Sequence, residues 1–144
     1  MFVVDTNVLI YAALPESSCH EICRRRIAEW RGQSMAWYLT WGIVYEFLRV
    51  STHLGIFRKP FQAWQAWAYI DSLLVSPSLG FLVPTERHSA VAAEVIAQTP
   101  HLSGNILLDA QTAVLMKEHG IRRIYTRDTD FHRFPFLEVV DPTV

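Results

Sequence analysis

Long apolar runs are missing from this sequence. No stretch approaches the roughly 20 residues of a membrane-spanning helix, and the apolar start Phe2-Val3-Val4 is interrupted by Asp5. No basic segment precedes it, so neither a signal peptide nor a membrane anchor is expected, and the cytoplasm is the expected compartment. Cysteine is scarce: Cys19 and Cys23 stand four apart with His20 between them. A zinc site needs three or four ligands and no second cluster accompanies this pair, so both read as ordinary reduced thiols. Nothing demands an oxidising compartment. An excess of either charge is also lacking. The formal net charge of −1 excludes a globally basic nucleic-acid binder, though not a local basic surface. Lysine is rare, with Lys59 and Lys117 against eleven arginines. Arginine suits bidentate recognition of phosphate or carboxylate, while the run Arg24-Arg25-Arg26 reads as a solvated face. Internal repeats, low-complexity segments and linkers are absent.

What is present is a globular composition. Apolar residues make up 51% and charged residues 19% of 144 residues, which fits one domain over 1–144 with a real core. Phe2 to Val4 predicts a short buried strand, and Thr6 or Asn7 can cap a helix that stops before Pro15. A second helix is expected from Glu16-Ser17-Ser18 to about Trp30, ended by Gly32. Ser34 to Leu39 predicts a second strand, and Thr40 an N-cap for a helix from Trp41 to about Ser51. Phe61 to Leu74 predicts a helix apolar nearly all round, buried on more than one side, with the core on one and a partner on another. Gly80 to Pro84 predicts a third strand. Thr85 is the expected cap of a helix to about Ala97, and Asn105 to Glu118 another helix, stopped by Gly120. Ile121 to Thr126 and Leu137 to Val140 complete the strands. Strand and helix alternate, which argues for an α/β fold: a mostly parallel sheet of four or five strands with helices on both faces.

The carboxylates give this frame its chemistry. Asp5 and Asp128 follow the ends of two predicted strands, and ligands of open parallel sheets bind outside those ends. Glu46 lies in a largely apolar helix and Asp109 early in another, on the same sheet edge. Each has a plain alternative: Asp5 caps a helix, Glu46 points to solvent, Asp109 favours a helix N-terminus electrostatically. As a set, four converging carboxylates without matching cations repel one another. Hard divalent cations such as Mg2+ or Mn2+ relieve that repulsion and support phosphodiester hydrolysis.

The chain resembles the PIN-domain ribonucleases, and within them the VapC toxins of bacterial type II toxin–antitoxin pairs. The likeness rests on Val4-Asp5-Thr6-Asn7-Val8-Leu9, Glu46-Phe47-Leu48-Arg49-Val50, Gly104-Asn105 before Leu108-Asp109-Ala110, and Thr126-Arg127-Asp128-Thr129-Asp130-Phe131 followed by Arg133-Phe134-Pro135. By that resemblance Asp5, Glu46, Asp109 and Asp128 match the acidic metal-binding quartet. Asp130 matches a further acid, placed to bind a metal or water or to cap the turn before Phe131. Asn7 and Thr126 match polar residues that steady the acids. The resemblance implies Mg2+- or Mn2+-dependent endonucleolytic cleavage of RNA, a homodimer, and inhibition by a VapB-like antitoxin encoded alongside. Arg49, Arg58, Lys59 and Arg127 are the candidates for holding flanking phosphates. Trp64 and Trp67 could stack bases, with core or partner packing as the alternative.

Three other readings compete. The run Asp5-Thr6-Asn7-Val8-Leu9 approaches the Asp-x-Asp-x-Thr/Val-Leu signature of haloacid-dehalogenase phosphatases, yet Asn7 stands where that family needs its second Asp. A PIN nuclease of RNA processing would share the site without being a toxin. A binding module with purely structural metal is a third possibility.

Overall fold

A computed structural model of residues 1–144 shows one five-stranded sheet, and its central strand β1 (Phe2–Val4) is buried at every residue. Successive strand residues face opposite sides, so burial of all three means that both faces of the sheet are covered. The strands β2 (Trp37–Leu39), β3 (Leu79–Phe81), β4 (Arg123–Tyr125) and β5 (Glu138–Val140) lie in the order β3-β2-β1-β4-β5. All pairings are parallel, with Val3 opposite Tyr38 on one side and Ile124 on the other. This is the predicted α/β architecture. Parallel strands require crossovers, and these are the helices α1 (Thr6–Ala13), α2 (His20–Gly32), α3 (Trp41–Ser51), α4 (Ala63–Leu74), α5 (His88–Gln98) and α6 (Ile106–Glu118). No helix is long and apolar enough to cross a membrane.

The strands are only three residues long, so side-chain packing must carry much of the fold. Phe2, Trp30, Trp37 and Tyr125 form an aromatic group packed against the sheet, with Phe2 and Tyr125 edge to face at 5.0 Å between ring centroids. Rings at that spacing and angle add to simple area burial. The core continues through Leu9, Leu39, Phe47, Ile70, Met116, Ile124 and Phe131.

Local chemistry sets the helix ends. Thr40 caps α3 as expected, its Oγ1 accepting from Ile43 N at 3.1 Å. The α6 terminus closes as a Schellman turn: Gly120 has φ +70°, Ile121 N donates to Met116 O, and Gly120 N to Lys117 O. Two expected caps are corrected. Asp5, not Thr6 or Asn7, caps α1 by accepting from Thr6 N. Thr85 turns to the buried carboxylate of Glu118, and α5 begins three residues later at His88. Glu118 also accepts from His88 Nδ1 at 2.8 Å, so one carboxylate ties the start of α5 to the end of α6. Burial works to raise its pKa, but the hydrogen bonds from Thr85 and His88 outweigh that and hold it at about 2.

The expectation for α4 holds on one side only. Ala66, Ile70 and Leu73 are buried, while Trp64 is 67% exposed and Trp67 is exposed beside it.

Candidate metal centre

The carboxyl ends of β1 and β4 are neighbours in the sheet, so the segments that leave them meet. Asp5 follows β1, and Thr126 and Asp128 follow β4, with Asp128 capping a short 3-10 helix (Thr129–Arg133) by accepting from Asp130 N at 2.8 Å. α3 and α6 pack against each other and bring Glu46 and Asp109 to the same place. Asp5, Glu46, Asp109 and Asp128 all line one cavity of about 370 Å³.

Asp5 is the best fixed of them. Its Oδ1 accepts from Thr6 N at 2.8 Å, and its Oδ2 accepts from Asn7 Nδ2 at 3.0 Å and from Thr126 Oγ1 at 2.7 Å. The Thr126 hydroxyl in turn accepts from Asn7 Nδ2 and from Asp128 N, both at 2.9 Å. Asn7 Oδ1 accepts from Arg127 N. Asn7 and Thr126 therefore join the β1 and β4 ends into one hydrogen-bonded unit. Thr6, which the sequence offered only as a cap, donates its hydroxyl to Glu46 Oε2 at 3.0 Å and orients that acid.

The electrostatics are those of an uncompensated acidic cluster. Burial pushes the Asp5 carboxyl up to about 6, against the lowering effect of Thr126 and Thr6, and the Glu46 and Asp128 charges add to the rise. Asp109 goes to about 7, through burial first and then the charges of Asp5, Asp128, Glu46 and Asp130. Oxygens of Asp109, Asp128 and Asp130 lie within 4.8 Å of one another. Arg49 reaches Glu46 at 3.8 Å and Arg133 reaches Asp130 at 3.5 Å, both from the surface, and neither Asp109 nor Asp128 has an ion-pair partner. An all-oxygen donor set with excess negative charge fits a hard divalent cation such as Mg2+ or Mn2+ better than a soft metal.

The basic candidates separate. Arg49 stands at the rim beside Glu46. Arg58 and Lys59 sit on the loop between α3 and α4, whose Ile56 and Phe57 line the cavity. Arg127 turns aside, its guanidinium on Cys19 Sγ at 3.1 Å and Asp141 at 3.4 Å. Glu16 is a site neighbour that sequence reasoning missed. Its two oxygens accept from Arg58 N at 3.0 Å and Lys59 N at 2.8 Å, a contact across 42 residues that no local pattern announces.

Comparison with known proteins identifies the family and the fold. The PIN domain family matches residues 2–137. Ribonuclease VapC37 of Mycobacterium tuberculosis is 30% identical over 134 residues, covering 93% of this chain and 92% of that protein. Ribonuclease VapC48 of the same species is 27% identical over 138 residues, 96% of this chain and 94% of its own. Among solved structures, the crystal structure of M. tuberculosis VapC20, a sarcin–ricin-loop-cleaving toxin, superposes with a TM-score of 0.67 at 17% identity over 92% of this chain and 93% of that one. VapBC2 from Rickettsia felis, bound to a DNA fragment from its promoter, gives 0.68 at 15% identity over 96% of each chain. At those identities the structures establish the fold.

Proposed function

Since the chain belongs to the PIN-domain family, we propose that it is a metal-dependent endoribonuclease and the toxin of a type II toxin–antitoxin pair. The observation that carries the chemistry is the Asp109, Asp128 and Asp130 cluster, short of positive charge, whose Asp109 and Asp128 line one cavity with Asp5 and Glu46. Asp109, Asp128 and Asp130 would hold Mg2+ or Mn2+, with Asp5 beside them. Bound there, the cation supplies charge neutralisation for a phosphodiester oxygen and a more acidic water. Glu46, oriented by Thr6, accepts the proton of the attacking water. Asp5 shares its oxygens with Thr6, Asn7 and Thr126 and keeps the two strand ends in register. Arg49 at the rim, with Arg58 and Lys59 on the adjoining loop, holds flanking phosphates, contacts that position the RNA without reading its sequence.

The same negative cavity suits a VapB-like antitoxin that inserts an arginine and pairs with the carboxylates. That reading predicts weaker inhibition as Mg2+ or Mn2+ is raised. The exposed Trp64 and Trp67 face of α4 supports a homodimer. The test is induced expression of wild type and Asp5→Asn in a heterologous bacterium, with sequencing of new RNA 5′ ends. Growth arrest with discrete cuts from wild type alone supports the toxin. Cuts without arrest favour a processing nuclease, and neither cuts nor arrest from folded wild type removes the proposal.

A further inference from the structure

The cavity that holds the acids has a second, apolar half. Ile10 and Tyr11 of α1, Val50 of α3, and Ile56 and Phe57 of the α3–α4 loop line it. Metal and phosphate have no use for such a wall, since both are satisfied by oxygen donors and cations. An apolar surface continuous with a phosphate-handling site suits the uncharged, planar part of a nucleotide. The cavity volume lies at the lower end of the range for small-ligand pockets, about 300–1,000 Å³, and so suits one such group. Ile56 is 53% exposed, an apolar side chain offered to solvent beside the acids.

We propose that this half is a subsite for the base of the nucleotide flanking the scissile phosphate, with Phe57 and Tyr11 as its aromatic walls. Glu16 is the positioning residue that holds the Phe57 loop against the site. The proposal rests on the endoribonuclease reading and names how that site selects its substrate.

The loop has little else to fix it. Ile56 N and Phe57 N donate to His53 O, and Phe61 N to Ser51 O. Beyond that turn, the Arg58 and Lys59 amides are held by the two oxygens of Glu16. Hydrogen bonds to an ionised carboxylate are the stronger kind, and here two converge on consecutive amides, which fixes the backbone direction just after Phe57. The α1–α2 connection that carries Glu16 is anchored too, by Ser17 N to Leu14 O and by His20 Nδ1 against Tyr11 O at 2.9 Å. Tyr11, Glu16 and Phe57 thus belong to one braced wall. The sequence Phe57-Arg58-Lys59 sets an aromatic beside two cations, the pairing that single-strand binding uses for base and backbone. Such stacking tolerates different bases, so the subsite favours an unpaired, flipped-out base over a particular letter.

The test uses a short RNA pool of randomised sequence, the best-cleaved member of it, and versions of that RNA with an abasic residue on either side of the cut. Wild type, Phe57→Ala, Glu16→Gln and Asp109→Asn are compared under saturating Mg2+. Phe57→Ala is expected to raise KM by about ten- to a hundredfold, the range of one lost stacking contact, with a smaller change in kcat. Glu16→Gln is expected to move KM in the same direction. The abasic residue on one side should cost wild type that same factor and Phe57→Ala almost nothing, because the contact is already gone. An equal abasic penalty in both proteins overturns the subsite, whatever Phe57→Ala does to folding. An unchanged KM with relief of antitoxin inhibition assigns the wall to a protein partner and overturns it as well. Failure of wild type to cut any RNA is a separate result: the endoribonuclease reading fails, and the subsite fails with it.

Discussion

Replacing Thr126 by valine removes one hydroxyl and three hydrogen bonds while keeping the shape of a side chain that is 1% exposed. The hydroxyl donates to Asp5 Oδ2 and accepts from Asn7 Nδ2 and Asp128 N. Asn7 keeps its bond to Asp5, so the main losses are a donor to a buried carboxylate and a partner for the Asp128 amide. A hydrogen bond to an ionised group contributes about 1.5–3 kcal/mol, and a stranded amide costs about 1–3 kcal/mol. The first term depends on pH. Asp5 ionises at about 6 in the folded chain against an ordinary value of 3.8. A raised folded pKa means that the native state keeps its proton longer. Asp5 therefore subtracts stability as pH climbs from about 4 to about 6, and the deficit persists above that. Removing the Thr126 donor deepens the deficit only where Asp5 is charged. Urea denaturation of the metal-free protein should show Thr126→Val less stable by about 3 kcal/mol near pH 8 and by about half that near pH 4.5. Thr126→Ser should recover most of it. The pH profile of RNA cleavage should also move upward, since a lost donor raises the Asp5 pKa further. Equal losses at both pH values, or a serine variant no better than valine, refute the role given to this hydroxyl.

Three further outcomes follow from the same structure. Glu118→Ala leaves Thr85 and His88 without their buried acceptor, but both are open to water, so the chain should lose about 1.5–3 kcal/mol in urea; because the folded pKa is depressed, wild type loses this contribution as pH falls from about 4.5 towards about 2. Mg2+ affinity by calorimetry should climb as Asp5 and Asp109 lose their protons near 6 and 7, and a flat profile from pH 5 to about 8 would count against their part in binding. Arg49→Ala breaks only an exposed 3.8 Å pair, so stability should change by less than about 1 kcal/mol, while RNA binding weakens and its dependence on log salt falls by about one contact.

The sequence showed most clearly those features that local chemistry controls. β1 was legible because three apolar residues run into Asp5, and α3 because Thr40 is a cap whose hydroxyl does bond Ile43 N. For Asp5, helix cap and cavity residue were alternatives, and the structure makes it both, one oxygen for each task. What misled was long-range capture of a residue with a plausible local role. Glu16 looked like part of a helix start, but its carboxylate is taken by amides 42 and 43 residues away, and α2 begins only at His20. Thr85 looked like a cap, but Glu118 claims it. Arg127 sits in the right motif, yet Asp141 and Cys19 draw its guanidinium away from the acids. The prominence of Asp130 could not be read from spacing alone, because its closeness to Asp109 depends on how α6 meets the β4 end.

The most direct measurement is single-turnover cleavage of RNA by purified wild type and Asp109→Asn across a Mg2+ titration, with EDTA as the zero point and unfolding curves to show that both fold. The account predicts cutting by wild type that rises with Mg2+ and vanishes in EDTA. It also predicts no cutting by the folded variant, which should unfold at a higher temperature than wild type near pH 8, by on the order of 3 °C, because a repelled charge is gone. Cleavage that survives EDTA, or that persists in Asp109→Asn, would contradict the account.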